Sequence, residues 1–252
     1  MRALRFIGLL SAWATAFAIA ASVQADTFVV FGASGNIGGV IVNEALSRGH
    51  TVIGVSRDPA KLKFDNKNFK AAAGDVTDVA SFKKVTKGAD VVFISVSDGM
   101  SADPDPKNST VAKAAQTAVE AFTGAAQSPH VIHIGGAMTL AETKEAIEAK
   151  IAPFAKPGTP AYGRLMGQYE ALQTYRASKI RWTVLTPAEQ LQGWAMGKPP
   201  TVTRTGKYRT STSTAVTDAN GKSAIDIGDL AVAAVDEAEK PRFVGQRFTV
   251  GY

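Results

Sequence analysis

The sequence predicts an α/β fold in which a doubly wound parallel sheet is covered by helices on both faces. Six short apolar runs, many of them β-branched, recur along the chain, and helical spacing separates most of them. A glycine-rich turn joins the first run to the first helical segment. Strands that alternate with helices in this way form parallel sheets. The predicted strands are residues 28–31, 51–56, 69–73, 91–95, 131–134 and 182–186.

The ends of the helical segments agree with this order of elements. Asn36 is placed to open the first helix, and Gly49 is placed to end it in the left-handed conformation. Residues 178–180 then turn a long helix into the sixth strand. Each boundary therefore falls where a strand-to-helix alternation requires one.

The pattern changes after the sixth strand. Residues 197–225 are rich in Thr, Gly and Lys, and an amphipathic helix at 226–240 and a closing strand at 246–252 follow them. We expect one domain, residues 26–252, that includes a small C-terminal lobe at about 188–252. This lobe is predicted to lie over the carboxyl edge of the sheet, where such folds bind ligands.

Composition excludes several classes of function. The chain has 252 residues, of which 45% are hydrophobic and 20% charged, as expected for one large core. The net charge is +6, but the basic residues are scattered without interleaved aromatics, so we expect no nucleic-acid surface. Cysteine is absent, which excludes disulfides, thiolate catalysis and sulfur-ligated zinc. The three histidines are not spaced as a metal-binding pair on a helix.

The first 25 residues have the three parts of a signal peptide. Arg2 and Arg5 form a positive start, residues 6–21 are apolar apart from one serine and one threonine, and Val23 and Ala25 are small. Cleavage after Ala25 would export the protein, in a bacterium to the periplasm. An uncleaved leader would instead be a membrane anchor, although its apolar stretch is shorter than the ~20 residues that span a bilayer. Translation from Val23 would leave a cytoplasmic protein.

The glycine-rich turn has the spacing of a dinucleotide-binding loop. Gly32, Gly35 and Gly38 form G-x-x-G-x-x-G between a predicted strand and a predicted helix. Such glycines permit a sharp turn, close approach of the backbone to a pyrophosphate and tight packing of the helix, whose N-terminus favours phosphate. The sequence therefore predicts a Rossmann-type fold. The predicted pyrophosphate site consists of Gly32, Ser34, Gly35, Asn36, Ile37 and Gly38.

The end of the second predicted strand bears on the choice of nucleotide. NAD-specific sites place a carboxylate there to bind the ribose hydroxyls, whereas this chain has Ser56 and Arg57. An arginine at this position suits a 2′-phosphate, so NADP is predicted in preference to NAD. The alternative is that Arg57 only faces water.

Further motifs make the chain similar to a known group. In order they are GASGNIGGVIVNEALSRGHTVIGVSRDPAKL, GDVTD, GADVVFISV, IGGA and a tail that begins RTGKYR and ends GQRFTVGY. Residues 27–252 resemble the atypical short-chain dehydrogenases/reductases that include bacterial NAD(P)H-flavin reductases, biliverdin-reductase-B-like proteins and NmrA-like proteins. The resemblance implies that Asp75 and Val76 lie by the adenine. It also implies that Ser95 and Val96 lie beside the ribose and nicotinamide, and Pro187 near the nicotinamide.

The catalytic residues of the wider superfamily are not matched. They are a serine after the fifth strand and Tyr-x-x-x-Lys on the next helix, in which the tyrosine is the acid/base. Here Thr139 is the nearest hydroxyl after the fifth predicted strand, and the residue four positions after Tyr162 is a methionine. A literal match runs from Tyr175 to Lys179, but its lysine falls in the turn before the sixth strand. We interpret that match as coincidental.

Two functions remain open at this point. The first is hydride transfer from NAD(P)H to a flavin or similar planar acceptor, which needs no Tyr-Lys dyad because protons come from solvent. The second is a non-catalytic NAD(P)-sensing or binding module of NmrA type. Trp194 and Met196, with the loop at 97–108, either line an apolar acceptor pocket or pack under the C-terminal lobe.

Overall fold

Strands and helices alternate along the chain in the predicted order. The computed structural model describes residues 25–99, 102–141, 143–195 and 198–252. The strands are β1 (Thr27–Phe31), β2 (Thr51–Ser56), β3 (Phe69–Ala73), β4 (Val91–Ile94), β5 (His130–Ile134), β6 (Trp182–Thr186), β7 (Gln190–Gln192), β8 (Arg209–Ser211), β9 (Ala224–Asp226) and β10 (Gln246–Gly251). The helices are α1 (Asn36–Ser47), α2 (Val79–Val85), α3 (Thr110–Phe122), α4 (Lys144–Ile151), α5 (Pro160–Arg176) and α6 (Ile227–Glu239).

The main sheet has eight strands in the order β3-β2-β1-β4-β5-β6-β10-β8, and a separate two-stranded sheet pairs β7 with β9. All neighbours in the main sheet are parallel except β10 and β8. The strand order reverses direction between β1 and β4, with Phe31 opposite Ile94. Open parallel sheets bind ligands at such a switch point, beyond the carboxyl ends of the strands.

Each face of the sheet is covered by its own helices. Successive side chains of β1 point to opposite faces, so Phe28 packs with α1 and α6 while Val29 packs with α2, α3 and α5. Both side chains are completely buried. Burying an apolar side chain of this size stabilises the fold by about 1.5–3 kcal/mol. The doubly wound fold predicted from the sequence is therefore confirmed.

The boundaries of the predicted elements are close to those observed. The strands at 51–56, 69–73 and 182–186 match, while β1 and β5 begin one residue earlier and β4 ends one residue earlier. Gly49 has a φ of +89° and ends α1 as predicted. Asn36 is the first residue of α1 but does not cap it, because Gly35 occupies the N-cap position.

The C-terminal segment contributes to the main core as well as to the region above the sheet. β10 pairs with β6, and Phe248 of β10 and Leu230 of α6 are buried in the same cluster as α1. The two-stranded sheet of β7 and β9 begins just after the carboxyl end of β6. β8 also joins the main sheet, so the part of the predicted lobe that lies outside both the main sheet and α6 is largely residues 187–208 and 212–226.

A segment at 198–207 runs along the helical layer of α1 and α6. Arg204 donates two hydrogen bonds to Glu44 of α1, and Asp229 of α6 accepts from the backbone of Thr205. Burial raises the pKa of Glu44, but hydrogen bonds from Arg204 and Arg48 outweigh that effect and leave the pKa below its usual value. These contacts hold the segment beside the helix that begins in the glycine-rich turn.

Among the described residues, no helix is long and apolar enough to cross a membrane. Residues 1–24 of the predicted leader lie outside the described part of the chain, whereas Ala25 is described and exposed.

Candidate functional site

The turn after β1 requires glycine for two separate reasons. Gly32 has a φ of +78°, a left-handed conformation that L-residues with a side chain rarely adopt. A Cβ atom on Gly32 would also lie 2.0 Å from the carbonyl oxygen of Ser95, the residue after β4. The chain after β1 thus passes directly over the end of β4 at the switch point.

The start of α1 packs equally closely on this turn. A Cβ atom on Gly38 would lie 2.2 Å from the carbonyl oxygen of Gly32, and the backbone N–H of Gly35 donates to that oxygen over 2.9 Å. Gly35 and Ser34 are exposed. N–H groups in the first turn of a helix have no partner within the helix and attract anions. The turn therefore forms an open cradle with the charge preference of a phosphate site.

The residues predicted around the nicotinamide lie along the same carboxyl edge. The N–H of Ser95 donates to the carbonyl of Phe31 over 3.1 Å, which holds the end of β4 against the end of β1. Ser95 and Val96 are half-buried, and Pro187 is buried directly after β6. The structure thus brings the predicted residues after β1, β4 and β6 to one edge of the sheet.

The residues predicted around the adenosine lie at the ends of β2 and β3. Arg57 is exposed, and Val76 is buried. Asp75 accepts hydrogen bonds from the backbone and hydroxyl of Thr77 at 2.8 and 2.7 Å. These two bonds lower the pKa of Asp75, and the positive charge of Arg57 lowers it further.

The cradle, the switch point and the adjoining strand ends have the arrangement that is typical of a dinucleotide-binding site. A model of an NAD(P)H-binding family matches residues 32–238, which is most of the chain. The chain belongs to this NAD(P)H-binding family. The resemblance to NAD(P)-binding reductases inferred from the sequence motifs is therefore confirmed.

The chain is also similar to several solved structures. The protein is similar to a "Putative exported protein" from Burkholderia pseudomallei, with 28% identity, 90% of this chain and 100% of that chain covered, and a TM-score of 0.69. It is also similar to a "putative epimerase" from Bacteroides thetaiotaomicron, with 27% identity, 91% and 98% coverage, and a TM-score of 0.68. A "putative NADH-flavin reductase" from Streptococcus pneumoniae shares the fold at 22% identity, 90% and 99% coverage, and a TM-score of 0.69.

In this member of the NAD(P)H-binding family, Thr139 and Tyr162 already have hydrogen-bond partners. Thr139 is buried, donates to the carbonyl of Gly136 over 2.8 Å and lies 2.9 Å from the hydroxyl of Thr186. The phenol of Tyr162 donates to Glu148 over 2.5 Å, and this hydrogen bond raises the pKa of Tyr162 to about 12.

The literal Tyr-x-x-x-Lys match is divided between a helix and a turn. Tyr175 is completely buried, and its hydroxyl lies 3.0 Å from Nδ1 of His133 on β5. Burial raises the pKa of Tyr175 far above its usual value. Lys179 lies beyond the end of α5, in the turn that leads to β6. The two side chains therefore do not share a helical face.

All three histidines lie in the core. Nε2 of His130 lies 2.8 Å from the hydroxyl of Thr183, and His50 stacks on Phe28. Burial lowers the pKa of His133 to about 3 and that of His130 to about 4. Both imidazoles on β5 are therefore neutral at pH 7 and act as core side chains.

Two contacts at the carboxyl edge of the sheet were not predicted from the sequence. The side-chain amide of Asn36 donates to the carbonyls of Ala195 and Lys198 at 3.4 and 3.0 Å, so the loop after β7 is attached to the first turn of α1. The side chain of Gln168 packs against Gly136 after β5, and its buried Oε1 has no hydrogen-bond partner. Neither contact has a local sequence signal, because each joins segments that are distant in sequence.

The aromatic pocket predicted after Pro187 is only partly described. Trp194 is 45% exposed, so its side chain is not buried under the C-terminal lobe. Met196 lies outside the described residues, as do residues 100 and 101 of the predicted pocket loop at 97–108.

Proposed function

We propose that the protein is an NADPH-dependent reductase that transfers hydride to a flavin or a similar planar acceptor. One observation carries this proposal. Thr139 and Tyr162, the hydroxyls nearest to the positions of the superfamily's catalytic serine and tyrosine, already have hydrogen-bond partners. Thr139 is buried in hydrogen bonds to Gly136 and Thr186, and the Tyr162 phenol is bound to Glu148. A ketone needs a proton donor beside the hydride, whereas a flavin ring takes its proton from water. The site therefore suits a planar acceptor better than a ketone.

The residues of the cradle fit a dinucleotide. The sites of Gly32 and Gly38 are too close to neighbouring carbonyl oxygens for a side chain, so the backbone is left as the surface that meets a pyrophosphate. In this proposal Ser34, Gly35, Asn36 and Ile37 complete the pyrophosphate site. Asp75 and Val76 contact the adenine, and Ser95, Val96 and Pro187 lie by the ribose and nicotinamide. The bound nucleotide supplies a hydride.

The preference for NADPH over NADH rests on Arg57. Its guanidinium is exposed at the end of β2, where an NAD-specific site has a carboxylate. The nearby carboxylate of Asp58 is engaged, because it accepts from the N–H of Ala60 and lies 3.5 Å from Lys61. Arg57 makes no hydrogen bond to any residue that the structure describes, and it can bind a 2′-phosphate.

The dyad plays no part in the proposed reaction. The Tyr175 hydroxyl faces His133 inside the core, and Lys179 follows the end of α5. A proton leaving the buried Tyr175 would create a charge with no compensating cation among the residues that the structure describes, and burial makes such a charge costly. The match to Tyr-x-x-x-Lys is therefore a structural tyrosine followed by a turn lysine.

The reductase and the non-catalytic sensor differ in turnover. Purified protein is mixed with NADPH and riboflavin or FMN under anaerobic conditions, and oxidation of NADPH is followed by its absorbance. The reductase predicts oxidation that is stoichiometric with flavin reduction. Saturable NADPH binding without oxidation, for any of several flavins and quinones, would instead support the sensing module of NmrA type.

We further propose that the leader is removed after Ala25 and that the protein is exported. Ala25 is exposed, and β1 begins at Thr27, so cleavage leaves the central strand intact. The relative from Burkholderia pseudomallei named as exported is consistent with this proposal. Because NADPH is abundant only inside the cell, the export proposal requires loading before secretion. An intact mass beginning at Asp26 in a periplasmic fraction supports it, and protein that begins at Met1 or Val23 in the cytoplasm contradicts it.

A further inference from the structure

An open cavity of about 450 Å³ lies beside the carboxyl ends of β5 and β6. One wall comes from the turn after β5 and from α4, and the other from the segment after β6 and from the loop after β8. Its lining residues are Leu140, Ala141, Lys150, Glu189, Ser213, Thr214 and Ala215. The cavity therefore combines apolar side chains with one cation, one anion and two hydroxyls.

The cavity adjoins the proposed nicotinamide site. The hydroxyls of Thr139 and Thr186 lie 2.9 Å apart and hold the turn that contains Leu140 against the last residue of β6. Glu189 follows Pro187 by two residues. Ligands of parallel sheets bind at this carboxyl edge. A molecule in the cavity would thus lie next to the proposed nicotinamide site, from which hydride is delivered.

An ion pair crosses the cavity. Nζ of Lys150 lies 2.6 Å from Oε1 of Glu189, and the side chains are 40% and 47% exposed. Exposed pairs of this kind contribute at most about 1 kcal/mol to stability. The pair is therefore dispensable for folding, and its spare donors and acceptors are accessible to a ligand.

We propose that this cavity binds the acceptor and that the Lys150–Glu189 pair makes it selective for an uncharged planar ring. The proposal rests on the reductase function above. Lys150 can donate to a ring carbonyl, Glu189 can accept from a ring N–H, and Leu140, Ala141 and Ala215 offer an apolar surface. Because Glu189 already neutralises Lys150, the pair offers no net positive charge to offset the desolvation of an acceptor phosphate. The site therefore favours riboflavin over FMN.

The reaction balances without a protein acid. The hydride, with its two electrons, passes from NADPH to N5 of the flavin ring, and a proton from water reaches N1. The nucleotide is oxidised to NADP⁺, and the flavin is reduced to the dihydro form. Lys150 and Glu189 only position the ring edge in this scheme.

Binding of riboflavin and FMN to the purified protein, measured by flavin fluorescence in the presence of NADP⁺, tests the proposal. In the native protein riboflavin binds more tightly than FMN. Glu189→Gln leaves Lys150 unpaired and shifts the affinity ratio toward FMN by about fivefold, the factor that corresponds to 1 kcal/mol. Lys150→Gln shifts the ratio away from FMN by a similar factor.

Matched controls come from the same helix. Lys144→Gln and Glu145→Gln change the same charges on exposed residues of α4 that do not line the cavity, and they leave the ratio unchanged. Equal affinity for both flavins in the native protein, or shifts no larger than those of the controls, overturns the proposal. If flavins still support NADPH oxidation in that case, the reductase function stands. If the ratio shifts as expected without NADPH oxidation, the cavity assignment stands and the reductase function fails.

Discussion

Replacement of Gly32 by alanine tests whether the turn after β1 has the geometry described. The residue has a φ of +78°, and an added Cβ atom would meet the carbonyl oxygen of Ser95 at 2.0 Å. The left-handed conformation costs an L-residue about 1–2 kcal/mol. Relief of the overlap requires the turn or the end of β4 to move, and overpacking of this kind costs about 1–3 kcal/mol. We therefore expect Gly32→Ala to lower the free energy of unfolding by about 2–5 kcal/mol.

Two other glycines separate the cost of the left-handed conformation from the cost of the overlap. Gly49 also has a positive φ, +89°, but nothing lies within 4 Å of its Cβ position. Gly49→Ala is therefore expected to lower the free energy of unfolding only by the cost of the left-handed conformation, about 1–2 kcal/mol. Gly39→Ala places its Cβ 3.4 Å from the nearest atom, the Ala33 carbonyl oxygen, and alanine favours a helix, so we expect little change.

Urea unfolding and NADPH titration of the three variants complete the test. We expect Gly32→Ala to lose NADPH binding, because any movement of the turn displaces the cradle, while Gly49→Ala and Gly39→Ala retain it. A Gly32→Ala protein that is no less stable than Gly49→Ala and binds NADPH normally would refute the geometry of the cradle.

Two further predictions concern Tyr175 and the buried histidines. Tyr175→Phe and Lys179→Ala should leave flavin-dependent NADPH oxidation within a few-fold of the native rate, whereas a loss of about 100-fold, typical of a missing acid/base, would contradict the assignment of no dyad. The folded-state pKa values of His130 and His133 lie near 4 and 3, below the unfolded value of about 6.5, so only the unfolded chain binds these protons as pH falls below 6.5. Stability should therefore drop by about 3 kcal/mol between pH 7.5 and 5.5 in urea unfolding, and a flat profile over that range would contradict their burial in neutral form.

Local patterns in the sequence were enough to predict most of the sheet. β2 is a β-branched run after Gly49, and β6 follows a helix-ending turn. Strand propensity and the preceding turn signal therefore agree at both strands. The glycine spacing likewise predicted the cradle, because its three glycines lie close together in sequence, in the short turn between β1 and α1 and at the start of α1. Asn36 opens α1 as predicted, but its side-chain amide contacts a loop some 160 residues away, which no local pattern predicts.

Such local patterns could not predict which distant segments pair with each other. The sequence predicts β10 as a strand, but not that it extends the main sheet by pairing with β6. The Lys150–Glu189 pair joins residues 39 positions apart and has no periodic signal. The same holds for the hydrogen bond between Thr139 and Thr186, which turns a candidate catalytic hydroxyl into a structural one. Each depends on which chain segments become neighbours after folding.

Direct titration of the purified protein with NADPH and NADH tests the central claim that the cradle and Arg57 bind a phosphorylated dinucleotide. We expect saturable binding of both nucleotides, with NADPH at least about tenfold tighter because a charged hydrogen bond contributes about 1.5–3 kcal/mol. Arg57→Asp should abolish or reverse this preference, while Lys61→Asp, a charge change on a highly exposed side chain four residues away, should not. Absence of saturable binding would contradict the role of the cradle, and equal affinity of the native protein for the two nucleotides would contradict that of Arg57.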